Sequence, residues 1–156
     1  MKTTRPPITV VIADSQKTRR ATCVSILQPE KRITVIGEVR SGLDALLATG
    51  RLKPRVLLLN YNFLKGKKML LLSALRRKSP KTKVILLTRG TPEGQILETL
   101  CNGARGYIEE KDLRRFLPKA IRRVNMKKVW VPRKMIARMV DLLSRLTGQH
   151  SCSPER

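Results

Sequence analysis

The sequence predicts an α/β fold: a doubly wound, five-stranded parallel sheet with helices on both faces and an additional C-terminal helix. Two observations favour this class. Short apolar runs rich in β-branched residues alternate with amphipathic stretches, which is typical of strands and helices that follow one another in a parallel sheet. The runs are apolar throughout, as expected for strands buried on both faces. A length of 156 residues suits one such domain with an extension.

Five apolar runs are predicted to form the strands, and the stretches between them read as helices. In chain order the strands are expected at residues 8–13, 32–39, 55–59, 83–87 and 105–109. The clearest helical stretch follows the last strand, because its apolar residues repeat at helical spacing while its cations face elsewhere. Those apolar residues are Leu113, Phe116, Leu117, Ala120, Ile121 and Val124. Pro118 lacks a backbone donor and crowds the preceding turn, so a kink or a later helix start is expected there.

A further helix is predicted at about residues 132–146, beginning with a proline that suits a first turn. Its apolar stripe is too wide to leave exposed, so the helix either folds back on the domain or pairs with a second copy of itself. Pairing is the favoured interpretation. The residues of this candidate dimer seam are Met135, Ile136, Met139, Val140, Leu143 and Leu146.

These elements divide the chain into four parts. Residues 1–7 are expected to be a flexible tail, 8–126 the folded domain, 127–147 a linker or dimerisation helix, and 148–156 a second flexible tail.

Charge is the most unusual feature of the composition. Lys and Arg number 34 against 11 Asp and Glu, for a formal net charge of +23. Such a field attracts nucleic acid or an acidic protein at long range, although it does not specify which. Aromatic residues make up only 3% of the chain, which argues against a surface on which bases stack.

Several function classes are disfavoured. No apolar stretch approaches the roughly 20 residues that span a bilayer, and the N-terminus carries no readable secretory signal, so a cytoplasmic protein without a membrane partner is expected. Cys23, Cys101, Cys152 and His150 lack metal-ligand spacing. No pairing of nucleophile and base and no phosphate-binding glycine loop is visible. We therefore expect neither an enzyme nor a bound metal or cofactor.

Polar residues gather where the predicted strands end, and in parallel sheets ligands bind beyond those carboxyl ends. Asp14 and Ser15 follow the first strand, and Asn60 follows the third. The residues after the fourth and fifth strands are Thr88, Arg89, Glu110 and Lys111. This edge of the sheet is the predicted functional site.

Six segments carry a resemblance to a known family. They read VIAD at 11–14, VIGE at 35–38, SGLDAL at 41–46, PRVLLL at 54–59, VILLT at 84–88 and ILETLCNGARGY at 96–107. Together they cover roughly residues 8–125, which resemble the CheY-like receiver domain of bacterial response regulators. The similar branch is the NarL/FixJ type, which carries a LuxR-type helix-turn-helix. The resemblance implies a flavodoxin-like sheet with strand order 2-1-3-4-5, and residues 129–134 resemble the start of that branch's linker helix.

In this family an acidic pair and a phosphoacceptor aspartate hold magnesium, a hydroxyl and a lysine contact the phosphoryl group, and an aromatic residue switches rotamer. The resemblance places the acidic pair at Asp14 and Ser15, so half of the pair is lost. The remaining positions, in the same order, are Asn60 for the phosphoacceptor, Thr88 for the hydroxyl, Glu110 for the lysine and Tyr107 for the aromatic.

These departures predict that phosphotransfer is absent, because an amide cannot form an acyl phosphate and too few carboxylates remain for magnesium. Arg89 stands where the family has a small residue, and it is the predicted replacement cation, bridging to Asp14 or Glu110. The alternative is that Arg89 points into solvent.

Three functions are compatible with the sequence. The favoured one is a phosphorylation-independent receiver that forms the regulatory, homodimeric part of a LuxR-type transcriptional regulator, with DNA bound through a domain outside this chain. The second is a stand-alone pseudo-receiver that docks a protein partner. The third is weak, sequence-indifferent binding of nucleic acid by the basic surface itself.

Overall fold

A computed structural model describes residues 5–66 and 68–151. Its centre is a sheet of five parallel strands in the order β2-β1-β3-β4-β5. The strands are β1 (Ile8–Ala13), β2 (Ile33–Val39), β3 (Val56–Asn60), β4 (Lys83–Thr88) and β5 (Gly106–Glu109). The predicted fold class and strand order are confirmed, and the observed strand ends differ from the predicted ones by no more than one residue.

Six α-helices accompany the sheet within the described residues. They are α1 (Lys17–Leu27), α2 (Gly42–Leu52), α3 (Lys68–Lys78), α4 (Glu93–Cys101), α5 (Leu113–Asn125) and α6 (Arg133–Ser151). Helices α1 and α5 pack their apolar side chains on one face of the sheet, while α2, α3 and α4 cover the other. The central strands therefore have an apolar core on both sides, and every residue of β3 is buried, whereas β2 at the sheet edge is only partly buried. No described helix has the length and apolar character that crossing a bilayer requires.

Helix α5 differs from one expectation. It begins at Leu113 and continues through Pro118 to Asn125, so the later start expected from the proline is wrong. A proline at this depth leaves one carbonyl of the first turn without its intrahelical donor. The helix tolerates the proline because Leu113, Leu117 and Ile121 are buried against the sheet, and tertiary packing outweighs local propensity.

The segment before α6 covers the open edge of the sheet. Trp130 lies beside β5: its amide donates to the Arg105 carbonyl at 2.9 Å, and its own carbonyl accepts from the Tyr107 amide at 3.2 Å. Gly106 permits this approach, because a Cβ there would lie 2.6 Å from the Trp130 carbonyl oxygen. Residues 129–131 thus protect a strand edge rather than beginning a helix.

Helix α6 folds back on the domain along one of its faces. Met135 is fully buried and Met139 packs beside it on the core of the α4 face. Glu93 of α4 pairs with Lys134 at 3.8 Å and with Arg138. Met135 is therefore not available to the predicted dimer seam, because the same chain already covers it.

The exposed residues of the predicted seam are Ile136, Val140, Leu143 and Leu146. The helix also reaches Ser151, so the predicted tail at 148–156 begins as helix, and residues 152–156 lie outside the described part. Of the predicted N-terminal tail, only residues 5–7 are described, and they are exposed without regular structure.

Candidate functional site at the carboxyl edge of the sheet

The predicted site residues do meet at one edge of the sheet. Asp14 follows β1, Asn60 and Thr88 end β3 and β4, and Glu110 opens a short 3-10 helix after β5. A small cleft of about 110 Å³ lies among them, lined in part by Asn60, Thr88 and Arg89. We call this end of the sheet the carboxyl edge.

Arg19 of α1 dominates this edge. Its Nη1 donates to both carboxylate oxygens of Asp14, at 2.9 Å and 3.1 Å. Asp14 is fully buried and Arg19 is only 6% exposed, so this is a buried, charge-assisted pair. Burial alone lowers the pKa of the Arg19 guanidinium, but the hydrogen bond and charge of Asp14, followed by Glu110, outweigh it and leave that pKa raised. Asp14, which the resemblance assigns to the acidic pair, is thus neutralised within the chain.

Two arginines share the carboxylate of Glu110, the residue that the resemblance assigns to the lysine position. Glu110 Oε1 accepts from Arg19 Nη2 at 3.4 Å and lies 3.4 Å from Arg89 Nε. The Arg89 side chain is 75% exposed, so its contact with Glu110 is a surface pair. Of the two predicted partners, Arg89 reaches Glu110, while the cation against Asp14 is Arg19.

Asn60 serves the local backbone. Its Oδ1 accepts the amide of Asn62 at 2.7 Å and so caps the 3-10 turn Tyr61–Leu64 that follows β3. The side chain is 5% exposed. An amide in this position satisfies the turn but is not a nucleophile toward phosphorus at neutral pH.

Thr88 is likewise satisfied by its neighbours. Its hydroxyl lies 3.0 Å from Glu109 Oε2 and 3.3 Å from the Ile108 carbonyl, the two acceptors that β5 presents. The other oxygen of Glu109 accepts the amide of Gly90 at 3.3 Å. Thr88, Glu109 and Gly90 therefore tie the ends of β4 and β5 together.

Tyr107 is half-buried against the core on the α4 face. Burial raises the pKa of its hydroxyl, and the charges of Glu93 and Glu109 raise it further. Tyr107 also lines a cleft of about 670 Å³ that contains Trp130 and Ile136. Tyr107 and this cleft therefore lie between the end of β5 and the start of α6.

The residues present do not fit magnesium. Magnesium prefers an octahedral shell of oxygen atoms that includes carboxylates, yet both oxygens of Asp14 already accept from a guanidinium. Ser15 is exposed and offers no carboxylate. Among the described residues, no three His, Cys, Asp or Glu side chains converge as a metal-binding group. The edge is held together by an internal salt bridge instead.

Sequence reasoning missed the two residues that satisfy this edge, Arg19 and Glu109. A signal for Arg19 was present in the sequence. Arg19 lies four residues before Cys23 and eight before Leu27, which are the other buried residues of α1. A cation on the buried stripe of a helix, five residues after a buried acid, indicates an ion pair. Glu109 gave no such signal, because its reach to Thr88 depends on the register between β4 and β5.

Comparison with known proteins gives the family. The profile of the response regulator receiver domain matches residues 10–122. The oxygen regulatory protein NreC of Staphylococcus aureus is 29% identical over 133 residues, which are 85% of this chain and 61% of NreC. This chain thus spans less than two thirds of the curated relatives it matches.

Solved structures agree with the fold. The signal receiver domain of the putative response regulator NarL from Mycobacterium tuberculosis superposes with a TM-score of 0.71 at 24% identity, covering 78% of this chain and 98% of that one. A LuxR-family two-component response regulator from Aurantimonas sp. SI85-9A1 gives 0.75 at 12% identity, covering 86% and 96%. With the strand order and the matched profile, these observations make the chain a member of the response regulator receiver family.

Proposed function

We propose that this receiver works without phosphorylation and serves as the dimerisation and docking part of a LuxR-type transcriptional regulator. Receiver domains belong to two-component signalling, and the relatives include an oxygen regulatory protein and a LuxR-family regulator. Within that class, the chemistry of the carboxyl edge distinguishes this chain from receivers that accept phosphate.

The contact between Arg19 and Asp14 carries the proposal. A magnesium ion can reach Asp14 only if the guanidinium leaves, and a side chain that is 6% exposed would then lose its main partner. Breaking a buried ion pair typically costs about 3–5 kcal/mol. With Asn60 in the phosphoacceptor position, no covalent bond is gained in return.

The direct test is incubation with acetyl phosphate and magnesium, followed by intact-mass measurement. We expect no mass gain and no change in sedimentation, whereas a receiver that retains its acidic pair and aspartate gains a phosphate under the same conditions. A hydroxylamine-labile gain of one phosphate on this chain would overturn the proposal.

The exposed stripe of α6 supports the dimerisation part. Ile136, Val140 and Leu146 are 38%, 58% and 52% exposed, although they follow the apolar periodicity of the helix. With Leu143 they form a line along the helix beside the face that packs on α4. Exposed apolar lines of this kind mark protein contacts, and pairing with a second copy buries both lines symmetrically.

Replacing Val140 tests this seam. Val140→Glu should weaken self-association at least about tenfold, since a charge in an apolar seam loses its hydration. Ala137→Glu is the matched control, because Ala137 is exposed on another side of the same helix. Sedimentation velocity over a concentration series measures both. Equal dimerisation of the two variants would remove α6 as the seam.

A second candidate, a stand-alone pseudo-receiver that docks a protein partner, is favoured by a different surface. Leu43 and Leu47 of α2 are 66% and 59% exposed, and Leu70 of α3 is 66% exposed, on two helices that pack together. The reading frame beyond Arg156 separates the two candidates. A helix-turn-helix there supports the transcriptional regulator, and a stop codon supports the stand-alone domain.

A further inference from the structure

The opposite end of the sheet carries two adjoining clefts. The larger, of about 840 Å³, lies where the chain enters β3 and β4 and where α5 ends. The smaller, of about 210 Å³, lies at the entry to β4 and β5. They share Pro80 and Lys83, so they adjoin at this end of the sheet. We call this end the amino edge.

Cations dominate its lining. Five of the nine residues around the larger cleft are Lys or Arg, and the smaller cleft adds two more. Neither cleft is lined by an acidic residue. We refer to these seven residues as the amino-edge cations: Lys53, Arg55, Arg76, Lys81, Lys83, Arg105 and Lys127.

Capping of helix ends accounts for only part of this group. Lys53 Nζ donates to the Lys78 carbonyl at 2.7 Å, and Arg76 Nη2 donates to the Asn102 carbonyl at 2.7 Å, so these two cations satisfy the ends of α3 and α4. In the part of the chain that the structure describes, the other amino-edge cations form no ion pair.

Lys83 is repelled by two of the other amino-edge cations. Burial lowers the pKa of the Lys83 ammonium, and the charges of Arg105 and Lys127 lower it further. Glu30, in the loop before β2 at the same end of the sheet, is paired with Arg122 at 2.9 Å. A concave surface that holds like charges without counter-ions gains free energy when an anion enters.

We infer that the amino edge binds the sugar-phosphate backbone of duplex nucleic acid, independently of base sequence. Several cations spread over two adjoining clefts fit a row of phosphates better than they fit one small anion. No aromatic side chain lines either cleft, so the surface has nothing on which unpaired bases could stack. This site goes beyond the proposed docking role and does not depend on phosphorylation or dimerisation.

The test uses the full 156-residue chain and a fluorescein-labelled mixed-sequence DNA duplex of about 20 base pairs, followed by anisotropy from about 50 to about 200 mM salt. The triple variant Lys81→Gln, Lys83→Gln, Lys127→Gln removes three amino-edge charges. We expect its dissociation constant to rise at least about tenfold, and its slope of log affinity against log salt to become shallower by about 3.

A matched control separates a site from general attraction. The variant Lys17→Gln, Arg40→Gln, Arg114→Gln also removes three charges, from positions near the carboxyl edge. Its affinity should stay within about threefold of the parent. Thermal melting checks that each variant folds. If the triple variant does not fold, the pair Lys81→Gln, Lys127→Gln, both exposed, should still reduce the slope by about 2.

Three results would overturn the inference. The first is the absence of binding by the parent at about 50 mM salt, and the second is an equal loss of affinity in both triple variants. In the third, tripolyphosphate at the same phosphate concentration displaces the duplex from the parent but not from the amino-edge variant. That last result would assign the clefts to a small polyphosphate instead of nucleic acid.

Discussion

The two edges of this sheet are built by the same five strands but hold their charges differently. At the carboxyl edge, Arg19 and Arg89 stand against Asp14 and Glu110, and the central contact is buried at 2.9 Å. At the amino edge, seven cations line adjoining clefts that contain no acidic residue. The acids Asp14 and Glu110 of the carboxyl edge are paired within the chain, whereas the clefts of the amino edge present cations with no acid among them.

A net charge of +23 therefore does not locate a binding surface until the ion pairs of the individual cations are known. A family resemblance directs attention to the carboxyl edge, where receivers accept phosphate. In this chain the acid at that edge is satisfied by a side chain from α1. At the other end, where the resemblance assigns no role, cations line two clefts without an acidic residue.

The largest expected effect comes from breaking the buried pair. Arg19→Met removes the partner of a carboxylate that is 0% exposed, and we expect the free energy of unfolding to fall by about 3 kcal/mol. Urea denaturation followed by circular dichroism measures the loss. A loss below about 1 kcal/mol would mean that the carboxyl edge is no better paired than an ordinary surface.

Arg89→Met is the matched control, because Arg89 reaches the same Glu110 oxygen at the same 3.4 Å but is 75% exposed. Its effect should stay within about 1 kcal/mol. Adding Asp14→Leu to Arg19→Met should recover most of the stability, because an apolar pair leaves no buried charge behind. Failure of this double variant to recover would mean that the loss comes from packing and not from charge.

Sequence patterns were sufficient for the fold. Apolar runs predicted all five strands to within one residue, because strands buried on both faces consist mainly of apolar residues. The run that starts at Leu113 predicted α5, although the expected effect of Pro118 on its start was wrong. Periodicity describes what packs on the sheet, and here packing outweighed the local preference of a single residue.

The site was only partly predictable, since its chemistry depends on how far long side chains reach. The carboxyl-edge positions of Asp14, Asn60 and Thr88 followed from the ends of strands. The partner of Asp14 did not follow from the strand ends. Arg19 and Arg89 both come soon after strands that end at this edge, and only the geometry of α1 places Arg19 against the Asp14 carboxylate. The amino-edge clefts were missed for the same reason: their cations come from four separate loops and helix ends.

A smaller effect should appear at the amino edge, with the opposite sign. Because the pKa of Lys83 is lowered by burial and then by Arg105 and Lys127, its charged form is less favourable in the folded chain than in the unfolded one. Lys83→Gln should therefore raise the free energy of unfolding at pH 7, by about 0.5 kcal/mol. The parent should regain this difference as the pH rises through the lowered pKa toward the ordinary value of 10.5.

Lys17→Gln provides the control. Lys17 is exposed at the start of α1, and the substitution removes the same single positive charge. Parallel urea titrations at several pH values between neutral and about 10 compare the two variants. If both stabilise the chain equally, relief of the overall positive charge accounts for the gain, and the amino edge is not specially strained.

The smallest expected effect is a null result at the phosphoacceptor position. Asn60→Asp restores the carboxylate and keeps an oxygen to accept the Asn62 amide, so the turn after β3 should persist. We expect intact-mass measurement after acetyl phosphate and magnesium to find no gain of phosphate. Asp14 remains held by Arg19, Ser15 supplies no second acid, and Glu110 repels the phosphoryl oxygens that a lysine would attract. A magnesium-dependent gain in this variant would mean that the salt bridge yields to the ion, and the carboxyl edge would then be as open to a ligand as the amino edge.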